Sequence, residues 1–242
     1  MKYYCINLDK RPEKWQTFKK DFEKLNLDGE VTRISGVDFN VDPLFISSYR
    51  HDTSHVATIN AAGCAAAHYN AIATAIKDGS DTFTIFEDDA FFYDYSKDLI
   101  EKSLDYLKDK DWHILYWGCE PNKVEKTEVD FIFRVLSANS THAMTYNREF
   151  AVNFIKKFPE NMDVGDWISW ILEHYRIDIY FHSHLAKGKS YLPHKICACQ
   201  HNGYSDIDHR DSNRKDDIEK AFKKGIEASD LHNSLFNNIV IV

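Results

Sequence analysis

Residues Thr82-Phe83-Thr84-Ile85-Phe86 are apolar or β-branched throughout, run directly into Glu87-Asp88-Asp89, and are followed by a second apolar run, Ala90-Phe91-Phe92-Tyr93. A strand without polar alternation has to be covered on both faces, so it belongs at the centre of a sheet with helices on either side. No other feature constrains the fold as much. It also puts three acids at the carboxyl end of a central strand, where ligands gather in open α/β sheets. A short charge run usually means a solvated turn, but these acids are enclosed by core sequence. Residues two apart along a strand share a face, which groups Glu87 with Asp89 and points Asp88 the other way. Carboxylates this close repel unless a divalent cation, basic groups or solvent compensates. Hard oxygen ligands suit Mg²⁺ or Mn²⁺ better than zinc.

The rest of the chain supplies the layers. Tyr3 to Leu8 reads as a strand, Asp9-Lys10-Arg11 as a turn, and Pro12 opens a helix whose Trp15, Phe18, Phe22 and Leu25 recur at helical spacing until Gly29. A strand at Val31 to Ser35 follows. After an irregular stretch from Tyr49 to Asn60, an alanine-rich helix runs from about Ala61 to Lys77 and stops at Gly79. Further helices are expected near Asp98 to Lys108, Arg148 to Lys157, Asp166 to Tyr175 and Asp216 to Ile226. Further strands are expected at His113 to Trp117, Phe131 to Leu136, His142 to Tyr146, Ile177 to Phe181 and Lys195 to Cys199. The early βαβα order argues for a doubly wound, Rossmann-type three-layer α/β/α fold.

With 242 residues and 43% hydrophobic content the chain suits one large domain, 1–242. A formal net charge of -8, with Lys and Arg dispersed among acids, argues against a nucleic-acid partner. The five cysteines, Cys5, Cys64, Cys119, Cys197 and Cys199, are odd in number and widely placed, unlike a secreted disulfide framework. A reducing, cytoplasmic location is expected. The opening MKYYCINLDKRPEKW has no apolar run of signal-peptide or membrane-span length, so any membrane association is expected to be peripheral.

Several blocks resemble glycosyltransferase family 25, the lipooligosaccharide and procollagen galactosyltransferase-like enzymes. They occur in order along almost the whole chain: Ile6-Asn7-Leu8-Asp9-Lys10-Arg11-Pro12, Arg33-Ile34-Ser35-Gly36-Val37-Asp38, Gly63-Cys64 with His68, Phe86-Glu87-Asp88-Asp89-Ala90, Ser140-Thr141-His142-Ala143-Met144 leading to Arg148-Glu149-Phe150-Ala151, and Gln200 with Ser205-Asp206-Ile207. The resemblance implies a GT-A-like fold with a mixed, mostly parallel central sheet. It further implies a nucleotide-binding half over about 1–118, an acceptor half over about 119–242, a UDP-sugar donor, often UDP-galactose, and inversion at the anomeric carbon. Two departures stand out. Ala65-Ala66-Ala67 precedes His68 where the family tends to carry a Ser, and Asn161-Met162-Asp163-Val164-Gly165-Asp166 lacks the usual Pro before its Asp.

On that resemblance Glu87 and Asp89 form the expected metal pair, with His201 as a third ligand. Asn7, Leu8, Arg11, Val37, Asp38, His68 and Asp88 are the expected donor contacts. Arg11, opening a βα turn, suits a phosphate, and Asp38 suits a base or ribose; both also read as plain turn residues. Inverting transfer needs a base for the acceptor hydroxyl, and the candidates are Asp166, at the start of Trp167-Ile168-Ser169-Trp170, and Asp163. An Asp before a helix is most often an N-cap, and a helix N-terminus weakens it as a base. Cys197, Cys199 and His201 alternate along one strand, which favours a reduced structural pair over zinc; His182 and His184 read as surface histidines. From other classes, a non-catalytic nucleotide-sugar or glycan-binding protein would lack an intact base, and a nucleotidyltransferase would carry a Gly-rich phosphate loop. Nine unclustered glycines speak against the latter.

Overall fold

The structure, a computed structural model, describes residues 1–39, 55–185, 187–205 and 210–237. The apolar C-terminal run Ile239-Val240-Ile241-Val242 lies outside them, as do Asp206 and Ile207 and most of the irregular stretch before Asn60. Eight strands form one mixed sheet in the order β2-β1-β3-β8-β5-β9-β7-β6. They are β1 Lys2–Asn7, β2 Val31–Ser35, β3 Thr82–Glu87, β5 Ile114–Tyr116, β6 Glu120–Lys126, β7 Ile132–Asn139, β8 Ala143–Asn147 and β9 Ser190–Pro193. β1 pairs in parallel with β2 and β3, and β5 with β9, whereas β8, β7 and β6 pair antiparallel with their neighbours. Parallel pairing is thus concentrated at the β2-β1-β3 end, and the sheet is more antiparallel than expected.

Helices cover both faces. On one side, α1 (Pro12–Lys24) and α3 (Ser96–Leu107) bury Phe18, Phe22, Leu99, Ile100 and Leu107 against Tyr3, Cys5, Phe86, Leu115 and Trp117. On the other, α2 (His55–Lys77), α4 (Arg148–Phe154), α5 (Val164–His174) and α6 (Ile177–Leu185) share a core with Tyr4, Phe83, Ile85 and Tyr146, and α7 (Arg214–Asn237) packs on β6. The alternation Tyr3/Tyr4/Cys5 divides β1 between the two cores, as strand geometry requires. Alanine matters in α2: Ala62, Ala65, Ala66, Ala71 and Ala75 are fully buried, so the helix lies close to the sheet. At Gly63 a Cβ would sit 2.4 Å from the Val37 carbonyl oxygen, so only glycine admits the loop after β2.

Four segments differ from the sequence reading. Ile177 to Phe181 is helical, because Ile177, Phe181, His184 and Leu185 are buried at helical spacing. That burial also makes His184 a core residue, against the rings of Phe150, Phe154 and Tyr180. β6, with the polar sequence EPNKVEK, is an edge strand covered by α7, and β9 ends on Pro193; neither carries a strong strand signal. The fourth, Lys195 to Cys199, forms a strand only over β10 (Ala198–Gln200), so Cys197 and Cys199 fall into opposite cores.

β10 positions the site. It pairs antiparallel with β4 (Ala90–Phe92), Gln200 opposite Ala90, so Gln200 and His201 lie alongside the acids that end β3. The approach depends on Gly118, where a Cβ would fall 1.8 Å from the Ala198 carbonyl oxygen. The Trp117 carbonyl accepts from the Cys197 and Ala198 amides at 2.7 and 3.0 Å, locking the segment in place. A short hairpin, β11 (Gly203–Ser205) and β12 (Arg210–Ser212), leads from there into α7.

Candidate active-site cleft

A cleft of about 800 Å³ opens at the carboxyl ends of β1, β2 and β3, at the upper part of the range of ligand pockets. Its floor holds Glu87, Asp88 and Asp89. Leu8, Lys10, Arg11, Lys14, Val37 and Asp38 form one wall, Cys64 and His68 of α2 another, and Asn139 to Thr141 with Arg176 to Ile179 a third. Glu120, Gln200 to Ser205, Ser212 and Arg214 close it.

The three acids diverge. Glu87 turns to α2 and the start of β8: its Oε1 accepts from Thr141 Oγ1 at 2.7 Å and lies 3.3 Å from His68 Nε2. Burial raises its pKa, but the His68 hydrogen bond and charge, with the Thr141 hydroxyl, outweigh it and bring the carboxyl down to about 2. Asp88 continues the β1–β3 register, which sets Ile6 opposite Glu87 and Asn7 next to Asp88. Asn7 Nδ2 donates to Asp88 Oδ2 at 2.6 Å. Burial, then the charge of Asp89, push Asp88 up to about 7. Asp89 is raised as well, by burial first and by Glu87 second. Its two oxygens accept from Gln200 Nε2 at 3.1 and 3.2 Å.

Of the expected donor contacts, Leu8, Arg11, Val37, Asp38, His68 and Asp88 line the cleft. Asn7 does not. It is buried, with Nδ2 also donating to the Arg11 carbonyl at 2.9 Å and Oδ1 accepting from Arg33 Nε at 2.7 Å, so its role is to hold Asp88 and the β1–α1 turn. Asp38 is ion-paired with Lys10 at 2.8 Å and Arg11 with Glu13 at 2.6 Å.

The expected metal set does not gather at one point, because Glu87 faces His68 and Thr141. His201 borders the cleft next to Asp89, whose carbonyl accepts its amide at 2.8 Å, and its Nε2 lies 2.8 Å from Asp21 Oδ2. Among the described residues, the group whose ligand atoms all lie within 4.8 Å of one another is Cys64, His68 and Glu87. Cys197 and Cys199 are free, buried thiols pointing into separate cores.

Asp163 and Asp166 are placed elsewhere. α5 starts at Val164, two residues before the expected Asp166, and Asp163 is its N-cap, accepting from the Gly165 and Asp166 amides at 2.9 and 3.2 Å. Asp166 is exposed in the first turn and accepts from Asn161 Nδ2 at 2.9 Å. Neither lines the cleft. The carboxylates on its walls include Asp178, which accepts from the Ser140 amide at 3.3 Å, and Glu120, besides the ion-paired Asp38 and Glu13. Asp178 and Glu120, with Lys14, Arg176 and Arg214, carry no local site signal, because each sits in an unremarkable helical or edge-strand pattern or, for Arg176, in the bend between α5 and α6. Thr141 and Gln200 belong to blocks that carry the family resemblance, which is the one signal that pointed to them.

In open α/β sheets ligands bind in the crevice outside the carboxyl ends of the strands, which is where this chain gathers its carboxylates beside basic side chains. The model of glycosyltransferase family 25 (LPS biosynthesis protein) matches residues 1–163, and the chain belongs to that family. It is a glycosyltransferase, with a sugar donor and an acceptor as its substrates. Nothing among curated proteins matches it. Similar solved structures include A197 from STIV (14% identity, 87% of this chain and 93% of that one, TM-score 0.41). Others are a glycosyltransferase involved in the glycosylation of the major capsid of PBCV-1 (10%, 90% and 98%, 0.41) and an apo-UDP-glucose pyrophosphorylase (7%, 94% and 99%, 0.44). Likeness at this level concerns general layout and has no bearing on chemistry. No helix among the described residues is long and apolar enough to cross a membrane.

Proposed function

We propose that this glycosyltransferase moves a hexose, galactose from UDP-galactose, onto a hydroxyl of a glycan or glycoconjugate, with inversion and with the help of Mn²⁺ or Mg²⁺. The observation that carries the reading is the pair Asp88 and Asp89, half-buried at the floor of the cleft and destabilised in their charged forms by desolvation and by neighbouring carboxylates. A hard divalent cation relieves that repulsion, and carboxylates completed by substrate phosphates are its usual ligands. Asp89 would hold it, with His201 beside it; the Asp21 carboxylate takes one ring nitrogen of His201 and leaves the other for a ligand. When bound, such a cation offsets the negative charge that develops on a departing diphosphate.

The chain's own groups do the rest. Lys10, Arg11 and Lys14 border the wall where phosphates would lie, and Asp88, fixed by Asn7, faces the nucleotide side. The proton of the acceptor hydroxyl needs a carboxylate that lines the cleft, which moves the base from Asp166 and Asp163 to Glu87 or Asp178. Asp178→Asn against Glu87→Gln separates the two by kcat. The donor assignment is tested by nucleotide release from UDP-galactose, UDP-glucose and GDP-sugars with Mn²⁺ or chelator. Turnover of UDP-galactose with Mn²⁺ alone supports it; equal turnover in chelator, or preference for a GDP-sugar, contradicts it.

A further inference from the structure

Gln200 is buried, and both ends of its amide are occupied. Its Nε2 donates across both oxygens of Asp89, and its Oε1 accepts from Arg214 Nε at 3.1 Å. Arg214 Nη1 is in turn 3.0 Å from Glu120 Oε1. The two ends of the amide are not interchangeable here. A guanidinium has only donors, so it holds Oε1 and thereby turns the NH₂ group toward Asp89. A carboxylate gripped across both oxygens from one side offers its remaining lone pairs on the other.

We propose that Gln200 is the positioning residue for Asp89, and that Arg214, braced on Glu120, sets the amide orientation that makes this possible. The inference rests on the metal-dependent reading above and deepens it. Asp89 meets a cation as a pre-oriented ligand, because three residues from β10, the start of α7 and β6 converge behind it. Arg214 touches neither Asp89 nor the reacting atoms through these bonds; it acts through Gln200. Outer partners of this kind usually change metal affinity by about 10–100-fold.

The test is Mn²⁺ titration by calorimetry on the full chain without any sugar nucleotide, with circular dichroism to confirm folding. Gln200→Met and Arg214→Ala are each expected to weaken Mn²⁺ binding roughly tenfold. Because Arg214 works through the amide, Arg214→Ala should add less than about twofold in the Gln200→Met background. Arg214→Lys keeps the charge but loses the planar fork, and should remain weak. If Arg214→Lys restores the parent affinity, or Arg214→Ala weakens binding equally in both backgrounds, Arg214 acts by charge alone and the relay is wrong. Parent-like affinity in Gln200→Met also overturns it. Should Arg214→Ala fail to fold, Gln200→Met and Arg214→Lys still decide. A parent protein that binds no divalent cation is a different failure: it removes the metal-dependent reading itself, and this inference with it.

Discussion

Two groups of acids in this chain look alike on paper and do opposite things. At the end of β3, Asp88 and Asp89 are half-buried in the cleft, where desolvation and the charge of a neighbouring carboxylate, Asp89 for Asp88 and Glu87 for Asp89, raise their pKa values. At the start of α5, Asp163 and Asp166 lie at the surface, where Asp163 satisfies two backbone amides and Asp166 an asparagine side chain. The first group is held in place at a cost to the fold, and the second supports the fold. Both groups have hydrogen-bond donors, so what separates them is burial and the opposing charge of neighbouring carboxylates, which act only on the first. Unfavourable charge kept in a cleft is a mark of a functional site.

The comparison breaks most visibly in activity. Asp89→Asn should lower sugar transfer by roughly a thousandfold, the scale seen when a group stabilising developing charge is removed, with the fold kept. Asp166→Asn should stay within about threefold. Similar losses in the two variants would erase the distinction.

Stability sharpens it next. Burial and the Asp89 charge hold Asp88 at about 7 in the folded state, against an ordinary value of 3.8. The folded state therefore holds its proton over that interval while the unfolded state releases it, and stability falls as pH rises from about 4 to 7. Asp88→Asn removes this penalty. In chelator at pH 8 the variant should be more stable than the parent by on the order of 2–4 kcal/mol, and the gap should close as pH is lowered toward 4. Urea unfolding across that range measures it; a variant less stable than the parent at pH 8 contradicts it.

The smallest effect belongs to the other group. Asp163→Ala should cost about 1 kcal/mol, the usual worth of an N-cap, lowering Tm by roughly 2–4 °C for a chain of this size. Transfer rates should be kept. A gain in stability, or a loss of activity, would mean Asp163 belongs with the cleft acids after all.

Sequence made the centre of the molecule legible because β3 carries its own evidence: an apolar run covered on both faces, ending in acids. The same holds for α1 and α2, whose buried Phe and Ala positions recur at helical spacing. It failed where tertiary context decides. β6 is polar and becomes a strand by pairing with β7 under α7. Ile177 to Phe181 reads as a strand in isolation, and the helical burial of α6 is visible only when His184 and Leu185 are counted with Ile177 and Phe181. In the site, strand alternation groups Glu87 with Asp89, but the strand ends at Glu87, and Thr141 and His68 draw its carboxylate away. Asp178, Glu120 and Arg214 reach the cleft from segments more than thirty residues away in sequence. No local pattern marks them.

The most direct measurement is UDP binding by calorimetry with and without Mn²⁺, in the parent protein, Asp89→Asn and Asp166→Asn. A cleft built around Asp88 and Asp89 predicts that Mn²⁺ tightens UDP binding at least about tenfold, about 1.4 kcal/mol, in the parent and in Asp166→Asn, and has no effect in Asp89→Asn. UDP affinity that is the same with and without Mn²⁺ in the parent, or a full Mn²⁺ effect in Asp89→Asn, would contradict it.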